Sequence, residues 1–358
     1  MRIIIAGAGS IGKRHAGNLF SMGFTDVVFL RRSVEKVKEF PDVPVYNQLE
    51  KAVSSRKDLL MVCTPAPFHL ELADSALDHL DHVFIEKPIS HNWAEIEAFI
   101  KKSKASPFMT WIGYDLRFDT GLRNIKRWID GKAYGAPLAV RIQVGQYLPD
   151  WRPAQDYLQS ITAQTQLGGG VLLELSHELD YARWLLGPVK RVTGMTGNVG
   201  LKMEAETIAL ALLEFQSGAL GSVHLDCIQK PMSRSCQVIC SDAVIHWDGC
   251  VQSAWVAGPG NKVLERVSWI NEDRDARFRH ELTHILRCME GKEQPLIPAA
   301  EGAESLRLIL AIKEASRLKT SVSLAEFKVK SLCWEQSVHG AVLKVCREKR
   351  YASCLTVP

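Results

Sequence analysis

Over roughly the first 115 residues, short apolar runs alternate with longer stretches in which apolar positions recur every three or four residues. Residues 2–6, 26–30, 58–63, 82–85 and 108–112 read as strands, and 11–22, 34–40, 67–79 and 92–102 between them as helices. Strict alternation of this kind predicts βαβ units, a parallel sheet and right-handed crossovers. After Tyr114 the pattern changes. A helix is predicted over 121–129, a β-forming run over 137–147, then a loop with Pro149, Trp151 and Pro153. Gly168-Gly169-Gly170 opens a strongly apolar helix over 171–186. Strands follow at 189–195, 207–215, 219–227, 235–240 and 244–247, with Gly218 placed as a hairpin turn between two of them. Helices over 274–289 and 299–319 come last.

The pattern therefore predicts an α/β protein: a doubly wound parallel sheet over 1–115, then an α+β domain over 116–324 with a largely antiparallel sheet and a helix layer. From Ala325 to Pro358 no element can be assigned. A length of 358 residues agrees with two domains. With 46% hydrophobic and 23% charged residues the composition excludes intrinsic disorder. No apolar run approaches the roughly 20 residues that span a bilayer. No signal peptide is expected ahead of the first strand.

Charge narrows the partners further. The net charge of +4 is too small to imply nucleic acid without a clustered basic face. Much of the excess falls after Ala325, where six basic residues face three acidic ones, so that segment reads as an appendage, mobile or docking. Nine cysteines with no CxxC pair, Cys236 and Cys240 being closest, argue against a disulfide framework and a zinc ribbon. No metal site is expected, and scattered thiols suit a cytoplasmic protein.

Candidate chemistry begins at Gly7-Ala8-Gly9-Ser10-Ile11-Gly12, a G-x-G-x-x-G run between a strand and a helix. Gly7 permits a tight turn, Gly9 lets a pyrophosphate approach the backbone, and Gly12 lets helix and strand pack. The first N–H groups of the helix are unpaired donors for phosphate. The next strand ends in Arg31-Arg32-Ser33 rather than the acid that bonds a ribose 2′-OH, which favours NADP(H) over NAD(H). The other reading of those arginines is a solvated helix start.

Ligands bind beyond the carboxyl ends of strands in such sheets. Thr64 and Pro65 lie there, and His69 either reaches the same edge or caps its helix. Glu86-Lys87-Pro88 follows the strand at 82–85, and Pro88 fixes the backbone after the lysine. Lys87 is expected near the nicotinamide, whose positive charge would lower its pKa into the range of acid–base work. A surface lysine in a turn is the bland alternative. In the helix expected at 171–186, Glu174, His177 and Asp180 sit three apart on one face. Flanking acids would orient the imidazole and stabilise its charged form. A structural histidine capped by acids fits the same spacing.

The glycine loop, Glu86-Lys87-Pro88 and the helix with His177 together resemble the Gfo/Idh/MocA family of sugar and polyol oxidoreductases. Thr64 to His69 and Gly113-Tyr114-Asp115-Leu116-Arg117-Phe118 resemble family segments too, and the likeness runs over about residues 1–320. It implies a Rossmann domain followed by a domain with a large open sheet, and hydride transfer between a nicotinamide and a sugar carbon. Lys87 then matches the catalytic lysine, His177 the acid–base histidine and Asp180 the acid after it. Gly7, Gly9, Ser10, Ile11, Gly12, Arg31, Arg32, Ser33, Thr64, Pro65, His69, Glu86 and Lys87 would hold the cofactor. Homo-oligomers, dimers or tetramers, would form through the C-terminal sheet.

Two departures stand out. Leu173 occupies the place of a family Asp, leaving Glu174 as its substitute, and Asp115 stands where Asn is frequent. The loop from Gly145 to Pro153, with Asp156-Tyr157, is similar to a subgroup associated with surface polysaccharides and nonulosonic acids. There Tyr147, Trp151 and Arg152, with Arg117 and His177, would hold a small sugar-type substrate; a rigid exposed loop is the plainer reading. The expected function is an oxidoreductase in which Lys87 and His177 relay the alcohol proton. A nicotinamide-binding sensor without catalysis, or a reductase of a non-sugar carbonyl or imine, are the alternatives.

Overall fold

The computed structural model describes residues 1–105 and 107–329. The N-terminal part runs β1 (Ile3–Ala6), α1 (Ser10–Ser21), β2 (Val27–Leu30), β3 (Val45–Tyr46), α2 (Leu49–Ala52), β4 (Leu59–Val62), α3 (His69–Ala76), β5 (His82–Glu86), α4 (Ile96–Ser103) and β6 (Met109–Gly113). These six strands form one parallel sheet in the order β3-β2-β1-β4-β5-β6. β1, β2, β4 and β5 are buried at every position, as strands covered on both faces must be. Connections from β1 go both ways, so the carboxyl ends of β1 and β4 flank a crevice open to a ligand. Gly7 enters that crevice at φ +103°, and a Cβ on Gly12 would stand 2.0 Å from the Gly7 carbonyl oxygen. Only a glycine lets α1 start this close to β1.

The rest runs α5 (Thr120–Asp130), β7 (Pro137–Gly145), α6 (Val171–Glu174), α7 (His177–Leu186), β8 (Val189–Gly197), β9 (Ile208–Phe215), β10 (Leu220–Asp226), β11 (Ser233–Cys240), β12 (Val244–Asp248), β13 (Ser253–Ala257), β14 (Val263–Ser268), α8 (Ala276–Met289), α9 (Ala299–Leu318) and β15 (Val322–Ser323). Nine strands form the second sheet in the order β14-β13-β12-β11-β7-β10-β9-β8-β15. Only β7 and β10 pair in parallel. One face packs on α5, α6, α7 and α9, and the other is open. In β9 the period of two is plain: Ala209, Ala211 and Leu213 are buried while Leu210 and Leu212 face out. α9 joins the halves. Gly302 lets it approach β6, where an added Cβ would stand 2.5 Å from Ile112, and Ile312 at its other end closes on Gly194 of β8. No described helix is long and apolar enough to cross a membrane.

Three expectations are corrected. Residues 34–40 form no helix, only a bridge between Val37 and Phe40; the Ser33 hydroxyl accepts the Glu35 N–H, and Pro41 disfavours helical backbone at Phe40. α4 begins at Ile96 rather than Asn92, because Glu95 takes φ +66°. The helix expected over 171–186 breaks at Leu175-Ser176 into α6 and α7. Strands β3, β13, β14 and β15 had too little period-two signal to be read from the sequence. Most of the unassigned segment after Ala325 lies outside the described residues.

The close approach at the glycine loop gives a first test. Gly12→Ala should destabilise the protein by roughly 1–3 kcal/mol through overpacking and lower its thermal midpoint; an unchanged midpoint would contradict the contact.

Candidate active site

The site forms where the carboxyl edge of the parallel sheet meets the break between α6 and α7. A one-turn helix leaves its last carbonyls without intrahelical partners. Lys87, next after β5, fills that need: its Nζ donates to the Glu174 carbonyl at 2.6 Å and lies 3.3 Å from Glu174 Oε1. Thr162 donates its hydroxyl to the other carboxylate oxygen at 3.2 Å. The Lys87 charge holds the Glu174 carboxyl below its usual range despite burial.

His177 starts α7 and is nearly buried. Its Nε2 lies 3.3 Å from Asp115 Oδ1, and the Tyr114 ring meets it edge-on at 5.5 Å. Burial pushes the imidazole pKa well below its ordinary value; Lys87, Arg234 and Arg277 push the same way, and Asp115 opposes them. The ring is therefore neutral near pH 7. Asp115 faces Nε2 at ion-pair distance, and the buried Nδ1 has no protein partner. Asp115 also accepts from Arg277 of α8. Burial would raise its carboxyl, but the Arg277 charge and hydrogen bond outweigh burial and bring it down to about 2.

The residues at the sheet edge fit a dinucleotide. Nothing lies within 4 Å of the place a Gly9 side chain would take, so open space faces the start of α1, whose cap makes no side-chain hydrogen bond. The Thr64 hydroxyl, buried at the end of β4, has no partner. Arg152 crosses the cleft and donates to Ser10 Oγ at 2.9 Å, which places a guanidinium at the expected phosphate position.

Comparison with known proteins settles the lineage. Residues 1–114 match the model of the oxidoreductase family with NAD-binding Rossmann fold, and 122–246 match the GFO/IDH/MocA C-terminal domain. The chain belongs to the Gfo/Idh/MocA family. It is an NAD(P)-dependent oxidoreductase. It is 25% identical over 346 residues to myo-inositol 2-dehydrogenase of Thermotoga maritima, covering 91% of this chain and 99% of that one. In fold it is similar to levoglucosan dehydrogenase in complex with NADH, at TM-score 0.80 and 17% identity over 90% and 99% of the two chains. The WlbA dehydrogenase from Bordetella pertussis, in complex with NADH and UDP-GlcNAcA, gives TM-score 0.73 and 20% identity over 90% and 98%.

Against the family pattern, several residues stand elsewhere than their spacing suggested. Asp180 does not touch His177. It takes two of the Arg117 guanidinium's bonds, at 2.7 and 2.8 Å, and one from Ser305. The helix break is the reason: with His177 at the first position of α7, its ring turns toward Asp115 while Asp180 faces inward. Arg117, expected at the substrate, is 3% exposed and locked between Asp180 and Glu301. Glu174 pairs with Lys87 rather than His177. Glu86 turns away from the cleft and bonds His15 Nε2 of α1 at 2.6 Å. His69 is buried with its ring nitrogens 2.7 and 2.9 Å from the Thr64 and Pro88 carbonyl oxygens, so it ties the ends of β4 and β5 together.

Other expected residues stay at the crevice. Pro65 precedes a short turn of helix, Ile11 packs partly into the core under the loop, and Arg31, Arg32 and Ser33 follow β2. Tyr147 lies under Lys230, whose Nζ is 3.4 Å from the ring centroid, and Trp151 donates its N–H to Gln146. Sequence reasoning gave no role to Asp115 and missed Arg277, Lys230 and Glu281. Glu281 is buried in α8 with neither oxygen bonded; burial, then Asp115 and Glu86, push its carboxyl well above the usual range.

The buried Arg117–Asp180 pair yields a second test. Asp180→Ala leaves Arg117 short of its main partner and should cost about 3–5 kcal/mol of stability. His177→Ala should cost far less; equal losses in chemical denaturation would refute the structural role of Asp180.

Proposed function

We propose that this oxidoreductase moves a hydride between a nicotinamide and a hydroxyl or carbonyl carbon of a sugar or polyol derivative. The observation that carries the reading is the convergence of Lys87 and a neutral His177 at the cofactor edge of the sheet. Gly7, Gly9, Ser10 and Gly12 would hold the diphosphate with Arg152, and Thr64 and Pro65 would line the nicotinamide side. The nicotinamide supplies the hydride acceptor or donor.

The chain's own groups manage the proton. Lys87, fixed by Glu174, presents a cation to the substrate oxygen and favours its alkoxide character as the C–H bond breaks. His177 takes the alcohol proton in oxidation and returns it in reduction. Asp115 stabilises the imidazolium that forms, and Arg277 holds Asp115 in place. Tyr147 and Lys230 offer an aromatic face and a cation to the remainder of the substrate. The related inositol dehydrogenase and the fold-level likeness to a UDP-sugar complex support a sugar-type substrate; a role in surface-polysaccharide or nonulosonic-acid synthesis is the narrower reading.

Arg31 and Arg32, in place of an acid after β2, support NADP(H) over NAD(H). On the open sheet face Met195, Leu210 and Leu212 are exposed at adjoining register positions, which supports a homo-oligomer built on that face. Six free cysteines among the described residues, five of them buried, support a cytoplasmic location.

Two tests follow. Lys87→Met should lower turnover by about 10²-fold or more while cofactor fluorescence titrations stay unchanged; full turnover would refute the reading. The acid limb of kcat/KM should fall below the ordinary histidine value of about 6.5. Asp115→Asn should move it lower still, because the Asp115 charge is what raises His177. For the cofactor, the NADPH over NADH ratio of kcat/KM should exceed one and drop roughly tenfold in Arg31→Ala/Arg32→Ala, about the worth of one charge-assisted bond. A wild-type preference for NADH sinks the NADP assignment.

A further inference from the structure

A second cleft, of about 1050 Å³, opens between α5, α8 and the segment before α9, and it contains none of the residues placed at the active site. Its walls are two amphipathic helices. α5 buries Leu122, Ile125 and Trp128 against the second sheet, which turns Arg123, Lys126 and Arg127 outward at helical spacing. α8 buries Leu282 and Ile285 toward the parallel sheet and turns Arg287 to the same cleft. Phe118 and Trp184 line the cleft between them, and the Arg117 guanidinium lies 5.8 Å from the Trp184 ring centroid.

Of the cations lining the cleft, Arg123 alone has no acidic partner among the described residues, and the surface pairs of the others are weak. Lys126 is paired with Asp130, Arg287 with Glu293 at 2.6 Å, and Arg127 reaches Glu265 only at 3.5 Å. Arg123 makes no side-chain hydrogen bond or ion pair among the described residues. Arg117, within the cleft, is already matched by Asp180 and Glu301. A free guanidinium beside three further exposed or half-exposed cations suits an oxyanion with several acceptors, and the planar fork of arginine favours phosphate. The neighbouring indole suits a planar ring. The volume lies at the upper end of small-molecule sites.

We propose that this cleft is a second ligand site for a nucleoside phosphate, with the phosphates on Arg123, Lys126 and Arg287 and the base against Trp184. The site is independent of the hydride-transfer reading.

The test is calorimetry on the holoenzyme with the dinucleotide site saturated by NADPH or NADH, whichever binds tighter, so that only a second site remains to be filled. ADP should then bind with 1:1 stoichiometry, and more tightly than inorganic phosphate or adenosine. Arg123→Glu and Arg287→Glu, both surface changes, should each weaken ADP by tenfold or more without altering dinucleotide affinity or the thermal midpoint. Trp184→Phe should weaken ADP but leave phosphate unchanged. Absence of ADP binding to the saturated holoenzyme, indifference to both charge reversals, or phosphate binding as tight as ADP would each overturn the proposal.

Discussion

The hydrogen bond from Lys87 Nζ to the Glu174 carbonyl is the contact on which the site depends. It exists because α6 is a single turn. A longer helix would have spent that carbonyl on its own ladder, and the lysine would have no fixed acceptor. Because it is free, a side chain from the end of β5 in one domain is held by backbone from the other. Glu174 adds a carboxylate to the same cation, and Thr162 fixes that carboxylate in turn. Three residues from three segments thus lock one another.

The helix break has a second consequence. It resets the phase of α7, so that His177 begins a helix instead of continuing one. Its ring meets Asp115 and, through it, Arg277. The same reset sends Asp180 inward to Arg117, a buried pair that ties α7 to the segment after β6 and, through Glu301, to α9. Two buried carboxylates near one helix start therefore take different tasks. Asp115 serves a ring that changes protonation, while Asp180 neutralises a guanidinium that does not.

Charge is handled unevenly beneath the cofactor edge. Glu86 gives its carboxylate to His15, and Asp115 keeps its charge because the Arg277 guanidinium faces it. Glu281, packed into the same region with neither oxygen bonded, is pushed toward its protonated form by burial and by the charges of Asp115 and Glu86. A third buried anion there would compete with Asp115 for Arg277 and disturb His177.

Local signals were enough for much of this. Five of the six strands of the parallel sheet, the glycine loop between β1 and α1, and the placement of Lys87 at a strand end follow from short-range periodicity and from glycines that only a tight approach requires. The family likeness drawn from those motifs is upheld by the match of both domains. The partners of His177 and Asp180 were not legible. Spacing along a helix assumes that the helix is continuous, and whether Leu175-Ser176 breaks it depends on what packs around it. Asp115 and Arg277 lie 162 residues apart, and no local pattern joins them. The sequence by itself determined most of the helices and strands and the tight glycine turn between β1 and α1, because those rest on contacts between chain neighbours. Which acid faces which base was decided only by the tertiary structure, because buried charges choose partners by proximity in space.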